Sequence, residues 1–164
     1  MAAISAGDTL DDYRIDRLIA SGGMASVFRA MDLRTGLTVA IKVPHPEAEG
    51  DVVFYDRFQR EEQIGRMMDC PGVIKEISSG NKSRAYLVLE WIDVQLLREV
   101  LSREGRLSVD RAVRIAVNIC KALEHVHSQG VVHRDLKPET CSSMAGTGLS
   151  CSILALPRCA ARGA

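Results

Sequence analysis

The residues best suited to group transfer lie in one run, Val131-Val132-His133-Arg134-Asp135-Leu136-Lys137-Pro138-Glu139. An Asp can take the proton of an attacking hydroxyl, and a nearby Lys can neutralise the oxygens of a migrating phosphoryl group. A second segment, Val39-Ala40-Ile41-Lys42, sets an ammonium on an otherwise apolar strand. Facing inward, that lysine needs an anion, a carboxylate or a phosphate; on an edge strand it points to water. A third, Phe58-Gln59-Arg60-Glu61, offers such a carboxylate, although by itself it reads as a solvated charge face. The fourth, Ile19-Ala20-Ser21-Gly22-Gly23-Met24-Ala25-Ser26-Val27, is a turn of small residues whose backbone N–H groups can approach phosphate oxygens closely. Alone it is equally an ordinary hairpin turn. The four gain their meaning from their order.

The elements that must position these residues follow from the pattern of apolar positions. Tyr13 to Leu18 alternates as a strand, Ser21-Gly22-Gly23 interrupts it, and Val27 to Ala30 resumes extended character, which predicts a hairpin. Arg34-Thr35-Gly36 is a second turn before the β-branched strand Thr38 to Val43. Helical spacing of Phe54, Phe58, Ile64 and Met68 predicts a helix over Val52 to Met68, stopped by Cys70-Pro71-Gly72. Val73 to Ile77 and Ala85 to Trp91 read as two further strands. Beyond Trp91 the pattern turns helical: a short helix from Leu96 to Leu101 ends near Gly105. A longer one has Ser108 as N-cap and Gly130 at its C-terminal end, with a sustained apolar stripe from Val109 to Val126. Five strands with one helix, followed by a mostly helical region, is an α+β order.

The chain has 164 residues, 46% hydrophobic and 26% charged, which suits one ordinary domain with a buried core. Lys and Arg number 21, as do Asp and Glu, and the zero formal charge argues against nucleic-acid or membrane-surface binding. No apolar run approaches the roughly 18 residues of a membrane span. Met1 to Gly7 lacks the basic start and apolar stretch of a signal peptide, so the cytoplasm is the expected compartment. The five cysteines are odd in number and none is spaced C-x-x-C, which predicts free thiols rather than a zinc site or a disulfide framework.

Taken together, the four segments resemble the protein kinases, and in particular the bacterial serine/threonine kinases of the eukaryotic-like type. His133-Arg134-Asp135-Leu136-Lys137-Pro138-Glu139 matches the catalytic-loop signature, and Val39-Ala40-Ile41-Lys42 the third-strand lysine motif. The resemblance covers about Tyr13 to Glu139. It implies a lobe made of a five-stranded antiparallel sheet with one helix, then the first helices of a helical lobe. It further implies that Lys42 holds the α- and β-phosphates of ATP and pairs with Glu61. Asp135 would be the catalytic base, with Lys137 assisting at the transferred group and favouring a Ser or Thr acceptor on a protein substrate. Ala20, Ser21, Gly22 and Gly23 would cradle phosphate, and Val27 and Ala40 would roof the adenine. Leu89 takes the gatekeeper position, and Glu90-Trp91-Ile92 looks like the hinge whose backbone binds adenine.

The chain departs from the family at three points. The loop reads Ala20-x-Gly22-x-x-Ala25 and keeps only the central glycine. Thr140 stands where the family has the asparagine that holds magnesium, and no Asp-Phe-Gly follows, so the Mg2+ site is incomplete. From Thr140 to Ala164 there is no Asp, Glu or aromatic residue. Reading that tail one base back permits Asn at the Glu139–Thr140 junction and an apolar strand after it. The Met144–Ala145 junction forces Gly, and the three junctions from Ser152 to Ala155 permit Asp, Phe and Gly in turn. A lost adenine near codon 139 accounts for all of this. The expected division is therefore an extension over 1–12, the sheet lobe over 13–92, the start of the helical lobe over 93–139, and a tail over 140–164 that is out of frame. An incomplete and inactive kinase domain is the leading reading; a non-catalytic ATP-binding or scaffolding module is the alternative.

Overall fold

A computed structural model describes residues 4–49, 51–67, 72–77, 81–133, 136–144 and 151–153. The chain forms two units, Met1–Glu62 with Glu76–Trp91, and Gln63–Lys75 with Ile92–Ala164.

In the first unit, β1 (Thr9–Leu10), β2 (Tyr13–Ser21), β3 (Ala25–Asp32), β4 (Thr38–Pro44) and β5 (Leu87–Glu90) make one sheet in sequence order. Every neighbouring pair is antiparallel. The period-two pattern of β4 decides which way it faces: Val39, Ile41 and Val43 are buried among Tyr13, Ile15, Phe28, Ala30 and Val88. Ile41 is fully buried, and its truncation to Ala would cost about 2–5 kcal/mol. Two helices follow β4, the short α1 (Pro46–Glu49) and α2 (Val52–Met67), within which the division between the units falls.

The five strands are not the five that the sequence pattern predicts. Val73 to Ile77 makes only a bridge, Glu76 with Leu89, and a hydrogen bond from Ile77 N–H to Val88 O. The reason is that Val73 is drawn into the core of the second unit, with Ile64, Ala122, Val126 and Val131. The fifth strand comes instead from Thr9–Leu10, inside the stretch expected to be an extension. It pairs with Tyr13 and Arg14 and buries Leu10 in the first core.

Asp11 opens the turn between β1 and β2 with φ of 49°, a left-handed conformation that Asp tolerates. Its carboxylate accepts from Ser83 N–H at 3.0 Å and from the Tyr86 hydroxyl at 2.7 Å. Burial raises the Asp11 pKa, but these hydrogen bonds outweigh it and hold the carboxyl below its ordinary value. Asp32 is likewise opposed by burial and held down by the N–H and guanidinium of Arg34 and by hydrogen bonds from Thr35. Carboxyls depressed in this way contribute stability that is complete above their ordinary pKa of about 3.9 and is lost as pH falls through the folded values. The thermal midpoint should therefore drop as the pH is lowered below about 4, and drop less steeply in Asp11→Asn. Superimposable acid profiles of the two proteins would contradict this.

In the second unit, β6 (Val94–Leu96) leads into α3 (Leu97–Glu104), followed by α4 (Val109–Ser128), β7 (Cys141–Met144) and β8 (Cys151–Ile153). Gly105, at φ 70°, ends α3. Ser108 caps α4 as its sequence predicts, accepting from Arg111 N–H at 3.4 Å. At the other end Gln129 is the cap residue, and Gly130, at φ 73°, turns the chain away. The sequence pattern shows no element after Thr140, yet the backbone pairs β6 with β7 and β7 with β8. Ladder hydrogen bonds are made by the main chain and need no alternation of side chains to form.

The apolar stripe of α4 is only partly covered. Ile115, Ala122 and Val126 are buried, whereas Val109 is 78%, Val113 55% and Val117 45% exposed. Val113, Val117, Cys120 and Leu123 line a groove of about 720 Å³. An apolar ridge beside such a groove favours self-association. Sedimentation velocity at micromolar concentration should show dimers or larger species, and Val113→Glu combined with Val117→Lys should shift the chain to monomer. A monomeric wild type would refute this.

Candidate functional site

Directly paired residues of antiparallel strands project from the same face of the sheet. Ala20 pairs with Val27, Val27 with Lys42, and Lys42 with Leu87, while Ala40 pairs with Leu89 in the adjacent row. Five of the residues singled out from sequence, Ala20, Val27, Ala40, Lys42 and Leu89, thus share the face opposite the core of the first unit. Leu87 and Leu89 are buried there and Val27, Ala40 and Lys42 are half-buried. The result is an apolar surface with one ammonium. Lys42 Nζ lies 6.0 Å from the centroid of the Phe58 ring on α2. Glu90 ends β5 opposite Val39, and the role expected of it uses its backbone alone.

Ser21 closes β2, and the turn to β3 runs through Gly22, Gly23 and Met24. Gly22 N–H donates to Ala25 O at 2.9 Å, which closes the turn on itself. No side chain larger than a methyl stands at Gly22, Gly23 or Ala25, so an anion can approach the backbone of this tip closely. Glu61 lies on α2, but its side chain falls outside the described residues, and with it the expected pairing to Lys42.

The second unit holds the remaining residues. Ile92 begins its main segment and is half-buried. Asp135 lies outside the described residues, together with Arg134. What surrounds them is anchored on both sides. Val131 N–H donates to Val126 O at 3.2 Å at the end of α4, and His133 is buried. Past the gap, Arg98 N–H on α3 donates to Pro138 O at 3.1 Å, and Thr140 N–H donates to Lys137 O at 2.9 Å. Arg98 also lies 3.6 Å from Glu139, but both side chains are exposed and the pair adds little. Lys137 is exposed.

Among the described residues, the donors for magnesium do not fit. Thr140 is buried, and its hydroxyl accepts from Lys137 N–H and donates to Lys137 O, both at 3.0 Å. That oxygen serves the loop. No group of three His, Cys, Asp or Glu suited to a metal exists among the described residues.

Sequence reasoning missed the contacts of Arg29 and Ser26. Arg29 bonds Asp16 at 2.7 Å and lies over the Trp91 ring at 5.5 Å. Ser26 and His45 meet at the base of the glycine turn. None of these contacts leaves a signal in the sequence, because residues 13, 19 and 62 apart meet only once the sheet has formed.

Comparison with known proteins places the chain in a family. The protein kinase domain family matches residues 13–141. Serine/threonine-protein kinase PknA of Mycobacterium tuberculosis is 39% identical over 132 residues, which are 77% of this chain and 31% of that protein. Serine/threonine-protein kinase PknB of Mycolicibacterium smegmatis is 34% identical over 133 residues, 78% of this chain and 21% of that one. The chain thus spans about a third or less of the length of these relatives. In structure it is similar to the Mycobacterium tuberculosis PknI kinase domain, with a TM-score of 0.71 at 20% identity, covering 87% of this chain and 59% of that one. No helix among the described residues is long and apolar enough to cross a membrane. With that family matching residues 13–141, most of its length, the chain belongs to the protein kinase family.

Proposed function

We propose that this chain carries the nucleotide-binding part of a serine/threonine protein kinase domain, whose intact form moves the γ-phosphoryl group of ATP to a protein Ser or Thr hydroxyl in the cytoplasm. The observation that carries the reading is the single sheet face shared by Ala20, Val27, Ala40, Lys42 and Leu89, with the glycine turn at its end. An apolar face suits a purine, and an ammonium beside N–H groups suits phosphate. Asp135 is the proposed base and Lys137 the proposed neutralising group.

The chain as it stands is proposed to bind ATP without turning it over. Thr140 supports this, since its hydroxyl is bonded back onto Lys137. So does Ser142, which is fully buried on β7 beside the buried Cys141. Those two strand positions suit apolar residues, and the reading frame one base back permits Met and Phe there. The tail from Thr140 is accordingly proposed to be out of frame. A non-catalytic ATP-binding module, the second reading, draws on the same Thr140 geometry and differs in requiring the tail to be evolved as it is. Calorimetric titration of the chain with ATP, beside Lys42→Met, tests the binding; absence of any binding by the wild type would overturn it.

A further inference from the structure

The glycine turn is held by a latch outside the residues that the sequence singles out. His45 follows directly on β4. Its backbone N–H donates to Met24 O at 2.9 Å, and its Nε2 lies 2.9 Å from Ser26 Oγ. Ser26 Oγ lies in turn 3.1 Å from Ser21 Oγ, its cross-strand partner, so one chain of hydroxyls and imidazole spans the ends of β2, β3 and β4. His45 is itself pinned. Pro44 and Pro46 flank it, its carbonyl accepts from Ala48 N–H at 2.9 Å, and Arg84 reaches Pro44 O at 3.4 Å. A backbone held this firmly fixes where the imidazole it carries can reach.

What it touches has reason to need holding. Gly22 and Gly23 have the largest backbone freedom to lose, and a turn that orders only when phosphate arrives spends binding energy on its own ordering. We propose that His45 and Ser26 are positioning residues that preorganise the Gly22–Met24 turn for a nucleotide's phosphates. This rests on the nucleotide-binding reading above. The latch acts on the phosphate end alone, because the purine face lies on Val27, Ala40 and Leu89, whose pairing does not involve His45.

The test compares ATP with adenosine, which lacks phosphates, by calorimetry on the full chain. Loss of one net hydrogen bond should weaken ATP by about threefold to tenfold in His45→Leu and in Ser26→Ala, and leave adenosine unchanged. His45→Gln, whose amide can still reach Ser26, should stay near wild type. Unchanged ATP affinity in His45→Leu, or equal losses for ATP and adenosine, would overturn the proposal, the second because it marks general damage to the unit. Should the wild type bind neither ligand, the nucleotide reading itself fails. Amide exchange of Gly23 and Met24 in the nucleotide-free chain then still decides about the latch. Faster exchange in His45→Leu but not in His45→Gln supports it, and identical exchange in all three proteins refutes it.

Discussion

Lys42→Met is expected to weaken ATP binding by about tenfold to a hundredfold, the range that follows from losing a charge-assisted contact worth roughly 1.5–3 kcal/mol. Lys42 is the charged member of the row Ala20, Val27, Lys42 and Leu87, on the sheet face that carries no part of the first core. An ammonium half-buried among aliphatic side chains attracts a phosphate more strongly than one in bulk water, because the surrounding medium screens it less. Met keeps the length and volume of the side chain and removes only the charge, so strand pairing and the packing of Val39, Ile41 and Val43 should survive. The cation–π contact with Phe58 at 6.0 Å also goes, at a cost of about 0.5–1 kcal/mol or less. The thermal midpoint should therefore move little while the ATP isotherm flattens. Adenosine binding, which does not use the ammonium, should be retained. Equal ATP affinity in the two proteins would remove Lys42 from the site.

The parts of this architecture legible in sequence are those with a strict local period. β4 alternates half-buried and buried positions from Thr38 to Val43, so its face, and with it the environment of Lys42, follows from the residues alone. The cap at Ser108 and the stripe of α4 are legible for the same reason. Where tertiary context overrides the local pattern, reading fails. Val73 has the side chain of a strand residue but packs with Ala122 and Val126 of α4, and the expected strand shrinks to a single bridge. Thr9–Leu10 is too short to show any period, and its place in the sheet is set by Leu10 reaching the core and by Asp11 binding Ser83 and Tyr86. β7 and β8 carry no apolar alternation and are held by backbone pairing. Of the candidate site, the motif residues were legible because their chemistry is unusual for their position: a lysine in an aliphatic strand, an aspartate between arginine and leucine. Ser26 and His45 are ordinary residues in ordinary places, and only folding brings them together.

The 164-residue chain is expected to show no detectable kinase turnover, and the same gene with one adenine restored after codon 139 is expected to show it. Transfer of a phosphoryl group needs a base at the acceptor hydroxyl and neutralisation of the charge on the migrating group. Asp135 is the candidate for the first, and losing such a base alone lowers rates by about 10² to 10⁴. The second is where the chain falls short. Its Thr140 hydroxyl is bonded to both backbone groups of Lys137, and no Asp-Phe-Gly follows. Electrostatic stabilisation of the transferred group, commonly the largest contribution to catalysis, should then be too weak for turnover. In the restored frame the Glu139–Thr140 junction permits Asn and the junctions from Ser152 to Ala155 permit Asp-Phe-Gly. The strand positions of Cys141 and Ser142, both buried, can then take apolar residues. The measurement is transfer of labelled γ-phosphate to a mixed Ser/Thr peptide substrate by both proteins and by Asp135→Asn in the restored one. Turnover by the restored protein that vanishes in Asp135→Asn, with none from the 164-residue chain, is the expected pattern. Asp135-dependent turnover by the chain as it stands would show that Thr140 suffices. Genomic DNA whose shifted frame meets a stop codon before Asp-Phe-Gly would leave the tail as an evolved segment and favour the non-catalytic module.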